Sequence, residues 1–401
     1  MNIAILGLGT VGSGVINLIK ENHDKINRLT GEELTITHAY VNNVHRERDL
    51  DLTDVVVTDD IELVLNSPID VVIEVMGGTE GTLSLLERFL RKGIHVVTAN
   101  KDLLALNIDH LTRLANEHKA MLFYEASVAG GIPIIRSIEH SLNSNHLTEV
   151  LGILNGTSNY ILSKMTLDGW SYDEALTQAQ TLGYAEADPT NDVEGFDAQR
   201  KIALLARLAY DTTVELDEVT VRGISSVEVA DLEIAQQAGL ILKLLGKSAY
   251  DRDRRHLSIS VEPVFLPNTH QLANVHNAQN AVFAKGNAVG EVMFYGPGAG
   301  SLETASAVVS DLMHLAGIKR GAATCANFTP VGSAEVVADT AAASYYVRFE
   351  EAGTAGTVSL HPLETEAGNV AITSPLTQEE FAAFSQANKL LAAYPIEGAT
   401  W

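Results

Sequence analysis

The sequence predicts an α/β protein: an N-terminal, doubly wound parallel sheet, then an α+β domain, then a small α+β C-terminal tail module. Three observations carry this expectation. Short apolar runs alternate with stretches of helical periodicity over residues 1–126. A glycine-rich turn joins the first apolar run to the first helical stretch, and from about residue 127 longer strands mix with long helices. Strand–helix alternation places parallel strands in the middle of a domain with helices on both faces.

Taken in order, residues 3–6 (IAIL) read as a buried strand, 7–12 (GLGTVG) as a turn and 13–28 as a helix with apolar positions Val15, Ile16, Leu18, Ile19 and Ile26. Residues 34–41 alternate as a strand. Buried strands follow at 70–75, 94–98 and 120–124, separated by helices at 82–92 and 102–118. In the second region, strands are expected at 150–154, 257–261 and 291–295, with helices at 173–182, 198–209 and 231–245. The run GPGAGSLE at 296–303 opens a further helix at 304–316. An alanine-rich patch, 338–343, reads as a linker, and strands at 345–349, 357–360 and 369–373, a helix at 378–391 and an extended run to Trp401 form the tail. No repeat of 20–50 residues is visible.

A chain of 401 residues has room for two or three domains with cores of their own. An apolar fraction of 46% with few aromatics is that of a soluble globular enzyme. No apolar run reaches the roughly 18–20 residues of a membrane span, and no secretory signal precedes the first strand. The single cysteine, Cys325, has no internal partner, which fits a reducing compartment, so a cytoplasmic location is expected. Twenty-seven basic against 51 acidic residues give a formal charge of −24, a field that repels nucleic acid. An anionic cofactor must therefore be drawn by backbone N–H groups and a few placed cations.

The turn at 7–12 has the parts of a Rossmann-type dinucleotide site. Gly7 permits the tight turn, Gly9 lets the backbone approach a pyrophosphate, Gly12 allows close helix packing, and the helix N-terminus attracts the anion. The choice between NAD and NADP is made at the end of the second strand. There Val41, Asn42 and Asn43 precede His45, Arg46 and Arg48, with no acid and no immediate arginine, and the choice stays open. Thr98, Asn100 and Lys101 follow a strand at the ligand-binding edge of the sheet. The turn EASVAGGIP at 125–133 offers Glu125 and exposed carbonyls to a hard cation. The stretch 183–201 gathers Glu186, Asp188, Asp192, Glu194, Asp197 and Lys201. Asp197 and Lys201 stand four apart on a helix and share one face, an acid beside a proton donor, which suits reduction of a carbonyl.

Six motifs in series resemble those of the homoserine dehydrogenases: GLGTVG at 7–12, TANKDL at 98–103, EASVAGG at 125–131, GILNGTSN at 152–159, the acidic stretch ending in Lys201, and GPGAG at 296–300. Their order and spacing match over roughly residues 1–315. The resemblance implies NAD(P)H-dependent reduction of L-aspartate 4-semialdehyde to L-homoserine, on the route to threonine and methionine. By that resemblance Lys201 is the proton donor, and Glu186 and Asp197 hold the substrate, alongside Gly156, Thr157 and Tyr184. Lys101 lies near the nicotinamide and the reacting group. Cofactor contacts fall on Gly7, Gly9, Thr10, Val11, Gly12, Asn42, Thr98, Lys101, Gly183 and Gly298. A structural sodium ion is implied at Glu125 with the carbonyls of Val128, Gly130 and Ile132.

The implied domains are nucleotide-binding at 1–126 with a returning helix in 300–330, substrate and dimerisation at 127–299, a linker at 331–343 and a shortened ACT-like module at 344–401. A homodimer or higher homo-oligomer is expected. Asn42 stands where the family commonly has arginine, which leaves NADP preference open. The tail lacks the entry turn and first helix of a full ACT module, so threonine feedback is not expected. No aspartate kinase segment precedes Met1, and a bifunctional enzyme is not expected either. Rival readings are another NAD(P)-dependent amino-acid or aldehyde dehydrogenase, or a non-catalytic nucleotide sensor. A phosphorylating aldehyde dehydrogenase needs a thiolate, whereas Cys325 lies beyond the core motifs and reads as a small buried hydrophobe. A sensor would keep the glycine turn without needing Lys101, Asp197 and Lys201 together.

Overall fold

The computed structural model describes residues 1–321, 326–351, 356, 358–363, 365 and 369–398. Cys325, Thr357 and Trp401, and the readings attached to them, lie outside the described residues. The chain divides into two compact units, one of Met1–Ser144, Arg207–Thr213 and Gly296–Gly332, the other of Asn145–Ala206, Val214–Tyr295 and Ser333–Trp401.

The first unit is built on a six-stranded sheet running Val56–Thr58, Thr35–Tyr40, Asn2–Leu6, Val71–Glu74, His95–Thr98 and Leu122–Phe123, with every pairing parallel. In chain order this is 3-2-1-4-5-6, the arrangement of a dinucleotide-binding sheet. Ile3, Ala4 and Ile5, and Val71, Val72 and Ile73, are fully buried, as strands covered on both faces require. The expected helix at 13–28 is two helices, Thr10–Glu21 and His23–Thr30, broken at Asn22. The short strand Val56–Thr58 and the helix Ile61–Leu65, capped by Asp60, were not foreseen because their stretch carries no clear period. The helix expected at 304–316 runs from Ser301 to Lys319 and adds Ala305, Val308, Leu312 and Leu315 to the core of the parallel sheet.

The second unit holds a long mixed sheet. Its order is Gly290–Pro297, Gln279–Gly286, Leu147–Ile153, Leu240–Asp251, His256–Pro267, Leu390–Ile396, Ser344–Phe349, Val370–Thr373 and Leu360–Pro362. The helix expected at 231–245 is a correction: it spans only Val229–Gln237, and Leu240–Asp251 is a strand. Gly239, at φ 74°, stops the helix. Pairing along the whole of His256–Pro267 then overrides the helix propensity of a leucine-rich segment. The helix expected at 378–391 likewise ends at Ala387, and Leu390–Ile396 is a strand between His256–Pro267 and Ser344–Phe349.

The tail strand Ser344–Phe349 uses both faces. Tyr345, Val347 and Phe349 pack with Phe384 and Leu376, and Tyr345 stacks on Phe381 with ring centroids 3.8 Å apart. On the other face the Tyr346 hydroxyl donates to Asp231 Oδ1 at 2.9 Å and Arg348 Nε to the same oxygen at 2.8 Å. Asp231 is fully buried at the start of helix Val229–Gln237, so these two donors satisfy a charge that has no access to water.

Lys243, also buried, donates from Nζ to the Val275 carbonyl at 2.5 Å and to Asn159 Oδ1 at 3.2 Å, both neutral acceptors. Burial pushes its ammonium down to about 7. An unfolded lysine titrates near 10.4. Between those values the unfolded chain binds the extra proton, so this residue's contribution favours folding increasingly as pH rises; below about 7 the full cost of the buried charge remains. Lys243→Met is therefore expected to gain stability relative to wild type most at pH 6, and the gap should close by up to ~1.4 kcal/mol per pH unit towards pH 10. Urea unfolding of both proteins across that range checks it; a gap independent of pH would remove the buried charge from the account.

Candidate active site

In the second unit the site grows from the end of strand Leu147–Ile153. Asn155 caps helix Gly156–Asp168 by accepting from Ser158 N at 2.8 Å. Its amide nitrogen is left to donate twice, to Asp192 Oδ1 at 2.6 Å and Asp197 Oδ2 at 2.9 Å. Gly195, at φ 86°, lets the chain turn sharply between these two acids, so that both reach one amide although they are not on one helical face. Burial pushes the Asp192 carboxyl above its usual range, and the neighbouring Asp197 charge adds to the shift, while the Asn155 bond opposes it.

Helix Phe196–Tyr210 carries the pair expected from its spacing. Lys201 Nζ donates to Asp197 Oδ2 at 2.7 Å and to the Leu154 carbonyl at 2.8 Å. Lys201 is 9% exposed and Asp197 6%, so this is a nearly dry ion pair with a lysine held from two sides. Asn280, on strand Gln279–Gly286, donates from its amide to the same Leu154 carbonyl at 2.9 Å.

Other expected substrate residues surround rather than join this network. Glu186 is exposed, and among the described residues no hydrogen bond ties its side chain to the Asn155–Lys201 group; its carbonyl accepts from Gln180 Nε2 at 3.1 Å. The Thr157 hydroxyl donates to the Tyr184 carbonyl at 2.6 Å, and the half-exposed Tyr184 ring lies 5.0 Å from that of Tyr160. A Cβ on Gly156 would stand 2.8 Å from the Ala278 carbonyl oxygen, so glycine is needed there for backbone passage. Gly183, at φ 77°, follows the end of helix Tyr172–Thr181, where a left-handed residue is an ordinary stop. Asp188 accepts from Thr190 N and Oγ1 and stands outside the network.

In the first unit, Gly7 has φ 104°, and a Cβ there would lie 2.9 Å from the Val75 carbonyl oxygen. A Cβ on Gly9 would meet nothing within 4 Å, and Gly9 and Thr10 are exposed, so the start of helix Thr10–Glu21 is open to a ligand. The first N–H groups of a helix have no partner within it, and among the described residues the N-cap Gly9 offers no side chain to cap them. Gly12 packs on the Gly7 carbonyl, within the turn. A Cβ on Gly12 would also lie 3.3 Å from Ile5 of the first strand, and Gly14 adds a second close approach, since a Cβ there would lie 2.5 Å from the Ser301 carbonyl oxygen. Ser301 Oγ donates to the Thr10 carbonyl at 2.6 Å, tying the two helices together.

After strand Thr35–Tyr40, Asn42 is exposed. Arg48 folds back on its own loop and donates to the carbonyls of Arg46 at 2.8 Å and Asn43 at 2.9 Å, whereas Arg46 is exposed. At the neighbouring edge the Thr98 hydroxyl is buried and donates to Glu74 Oε2 at 2.6 Å. Burial pushes the Glu74 carboxyl up, opposed by bonds from Thr98 and from the backbone of Met76 and Gly77. Asn100 caps helix Lys101–Glu117, which makes Lys101 its first residue. A cation is unfavourable at a helix N-terminus, so helix stability does not explain this lysine.

Both Glu125 oxygens accept backbone N–H groups, from Ile135 at 2.9 Å and Arg136 at 2.8 Å. Asp311 accepts from Glu125 N and pairs with Arg136. Burial pushes Asp311 up to about 8 and Glu139 to about 7, with the Glu125 charge adding to both shifts and Arg136 opposing them. The Ile132 carbonyl accepts from Ile134 N at 2.9 Å, Ala129 and Gly130 are left-handed, and Gly130 lies against the Gly298 carbonyl.

A sheet of order 3-2-1-4-5-6 with an open glycine turn, together with a buried lysine–carboxylate pair, defines the class as nicotinamide-dependent oxidoreductase. A family model described as homoserine dehydrogenase matches residues 133–313, and one described as homoserine dehydrogenase, NAD binding domain, matches 7–125. The chain belongs to the homoserine dehydrogenase family.

A homoserine dehydrogenase of Bacillus subtilis is 48% identical over 314 residues, 78% of this chain and 72% of that protein. The crystal structure of a homoserine dehydrogenase from Thiobacillus denitrificans superposes with a TM-score of 0.92 at 32% identity, covering 99% of this chain and 98% of that one. A hyperthermophilic archaeal homoserine dehydrogenase in complex with NADPH gives 0.66 at 28% identity, covering 79% of this chain and 98% of the other. Membership sets aside the thiol-dependent and non-catalytic readings. Among the described residues no helix is long and apolar enough to cross a membrane.

Proposed function

We propose that the chain catalyses reversible NAD(P)H-dependent reduction of L-aspartate 4-semialdehyde to L-homoserine in threonine and methionine biosynthesis, with Lys201 as proton donor. The observation that carries this reading is the Lys201 ammonium, buried and held by Asp197 Oδ2 and the Leu154 carbonyl. The nicotinamide, when bound, supplies a hydride to the carbonyl carbon. The carbonyl π pair moves to oxygen, and Lys201 stabilises the developing alkoxide and gives it a proton. In the reverse direction neutral Lys201 takes that proton back. Asp197 orients the ammonium, and Asn155 keeps Asp197 in place. Exposed Glu186 is available to bind the substrate's own ammonium, with Gly156, Thr157 and Tyr184 shaping the surroundings.

The pyrophosphate is assigned to the backbone of Gly7, Gly9, Thr10, Val11 and Gly12; the open space at Gly9 and the exposed start of the helix fit an anion. Asn42 and Lys101 are further proposed cofactor contacts, with Lys101 also beside the reacting group. Thr98 acts through Glu74 and Asn100, since its hydroxyl donates to the Glu74 carboxylate and accepts from the Asn100 backbone N–H. Gly183 and Gly298 rest on resemblance. Glu125 with the carbonyls of Val128, Gly130 and Ile132, one carboxylate and three neutral oxygens, is the set that would hold a hard monovalent cation such as sodium. Its role would be to hold the turn. We further assign the nucleotide domain to residues 1–126 with the helix in 300–330, the substrate and dimerisation domain to 127–299 and the tail module to 344–401, in a cytoplasmic homodimer or higher oligomer.

The test is oxidation of NADH and NADPH with aspartate semialdehyde, and reduction of NAD and NADP with homoserine; activity with neither substrate pair would sink the reading. Arg48 is engaged with its own loop, and Asn42 offers a hydrogen bond without charge. The kcat/KM ratio for the two coenzymes is therefore expected to stay below about 100-fold, since a full arginine–phosphate contact is worth a few kcal/mol. A larger bias towards NADPH would mean that Arg46 or Arg48 reaches the ribose phosphate.

A further inference from the structure

Asn280 belongs to no motif and is 1% exposed. It stands where a ladder ends: strand Gln279–Gly286 pairs with Leu147–Ile153 up to Ala281 and Ile153, and the next pair would be Asn280 with Leu154. There the asparagine side chain takes over. Its Nδ2 donates to the Leu154 carbonyl at 2.9 Å, on the same oxygen that receives Lys201 Nζ at 2.8 Å. A carbonyl oxygen has two acceptor positions, and here both are filled. Because a carbonyl only accepts, the amide nitrogen must face it, and Asn280 Oδ1 is left buried without a hydrogen-bond partner among the described residues. A leucine of similar shape would avoid that cost, so packing alone does not account for asparagine.

The segment that delivers Asn280 is itself fixed. Asn159 Nδ2 donates to the carbonyls of Val275, Asn277 and Gln279 at 3.2, 2.9 and 3.1 Å. Asn159 lies on helix Gly156–Asp168, the helix that Asn155 caps. The Leu154 carbonyl is therefore gripped from the strand side, while the Asp197 end of the lysine is gripped by Asn155.

We propose that Asn280 is a positioning residue, whose amide locks the Leu154 carbonyl and through it sets where the Lys201 ammonium points. The inference rests on Lys201 being the proton donor. A positioning residue acts on the chemical step and not on ground-state affinity. Asn280→Leu keeps the volume and removes the donor; Asn280→Asp keeps the shape and removes the obligatory donor, and decides the matter if the leucine variant does not fold. Expected for the folded variant is a 10- to 30-fold loss of kcat with KM for homoserine and NAD(P) within twofold of wild type. In a Lys201→Ala background the same change should cost less than twofold, since the group it positions is gone. A folded variant with wild-type kcat, or an equal loss in both backgrounds, overturns the proposal. Wild-type enzyme inactive on both substrates would instead sink the functional reading.

Discussion

Lys201→Ala is expected to lower kcat by about 10²- to 10⁴-fold, the usual worth of a positioned general acid, and to leave cofactor affinity unchanged. The fold should survive, because each former partner of the ammonium keeps another donor. The Leu154 carbonyl retains Asn280, and Asp197 Oδ2 retains Asn155. Melting temperature should also fall, because Asp197 loses its counter-ion in a nearly dry site, but cofactor affinity should not, and Lys201→Arg should not restore kcat, since a guanidinium does not give up its proton. Steady-state kinetics with fluorescence titration of NAD(P)H separates the two quantities. Retention of more than about a tenth of wild-type kcat would remove Lys201 from the role.

Ending the chain at Thr340 is expected to unfold or aggregate the second unit, and threonine at low millimolar concentration is expected to leave the full chain's activity unchanged. Truncation deletes Tyr346 and Arg348, the partners of fully buried Asp231. An orphaned buried charge costs about 3–5 kcal/mol, against a total stability of roughly 5–15 kcal/mol for a whole domain. It also strips the edge of His256–Pro267 beside Leu390–Ile396. An effector needs a preformed cavity that differs between two states, whereas the tail's helix-facing side is filled by Tyr345, Val347, Phe349 and Phe384. Beyond the 338–343 stretch the tail strands continue the sheet of the second unit. Thermal unfolding and threonine titration of both chains decide: inhibition that vanishes in a folded truncated enzyme would make the tail a sensor.

What the sequence made legible follows from how local each signal is. The parallel sheet was readable because each buried strand, such as Val71–Glu74, is a short apolar run bounded by turns. The Asp197–Lys201 pair was readable because four-residue spacing on a helix fixes a shared face. Asn155 carried a usable signal, an asparagine just before the first helical residue, which marks an N-cap. Asp192 stood in the acidic stretch without a role, since its approach to Asp197 depends on the turn at Gly195. Asn280 left no trace, being 126 positions from the carbonyl it holds. The strand Leu240–Asp251 was misread because leucine-rich runs suit either state and only its partners decide.

The place of Leu390–Ile396 in the sheet bears on how the molecule comes into being. Among the described strands of that sheet it is the last to leave the ribosome, yet it is laid between two that emerge earlier, Ser344–Phe349 and His256–Pro267. Its parallel neighbour is more than a hundred residues upstream, with Phe265 opposite Ile396. Pairings so distant in the chain form slowly, because loop closure must precede any gain from them. The parallel sheet of the first unit gathers five of its six strands from residues 1–98, so it is ready while the second is still an open edge awaiting its insert. Nascent chains are consequently most exposed to misassociation late in synthesis, at an unfilled slot between two strands already made.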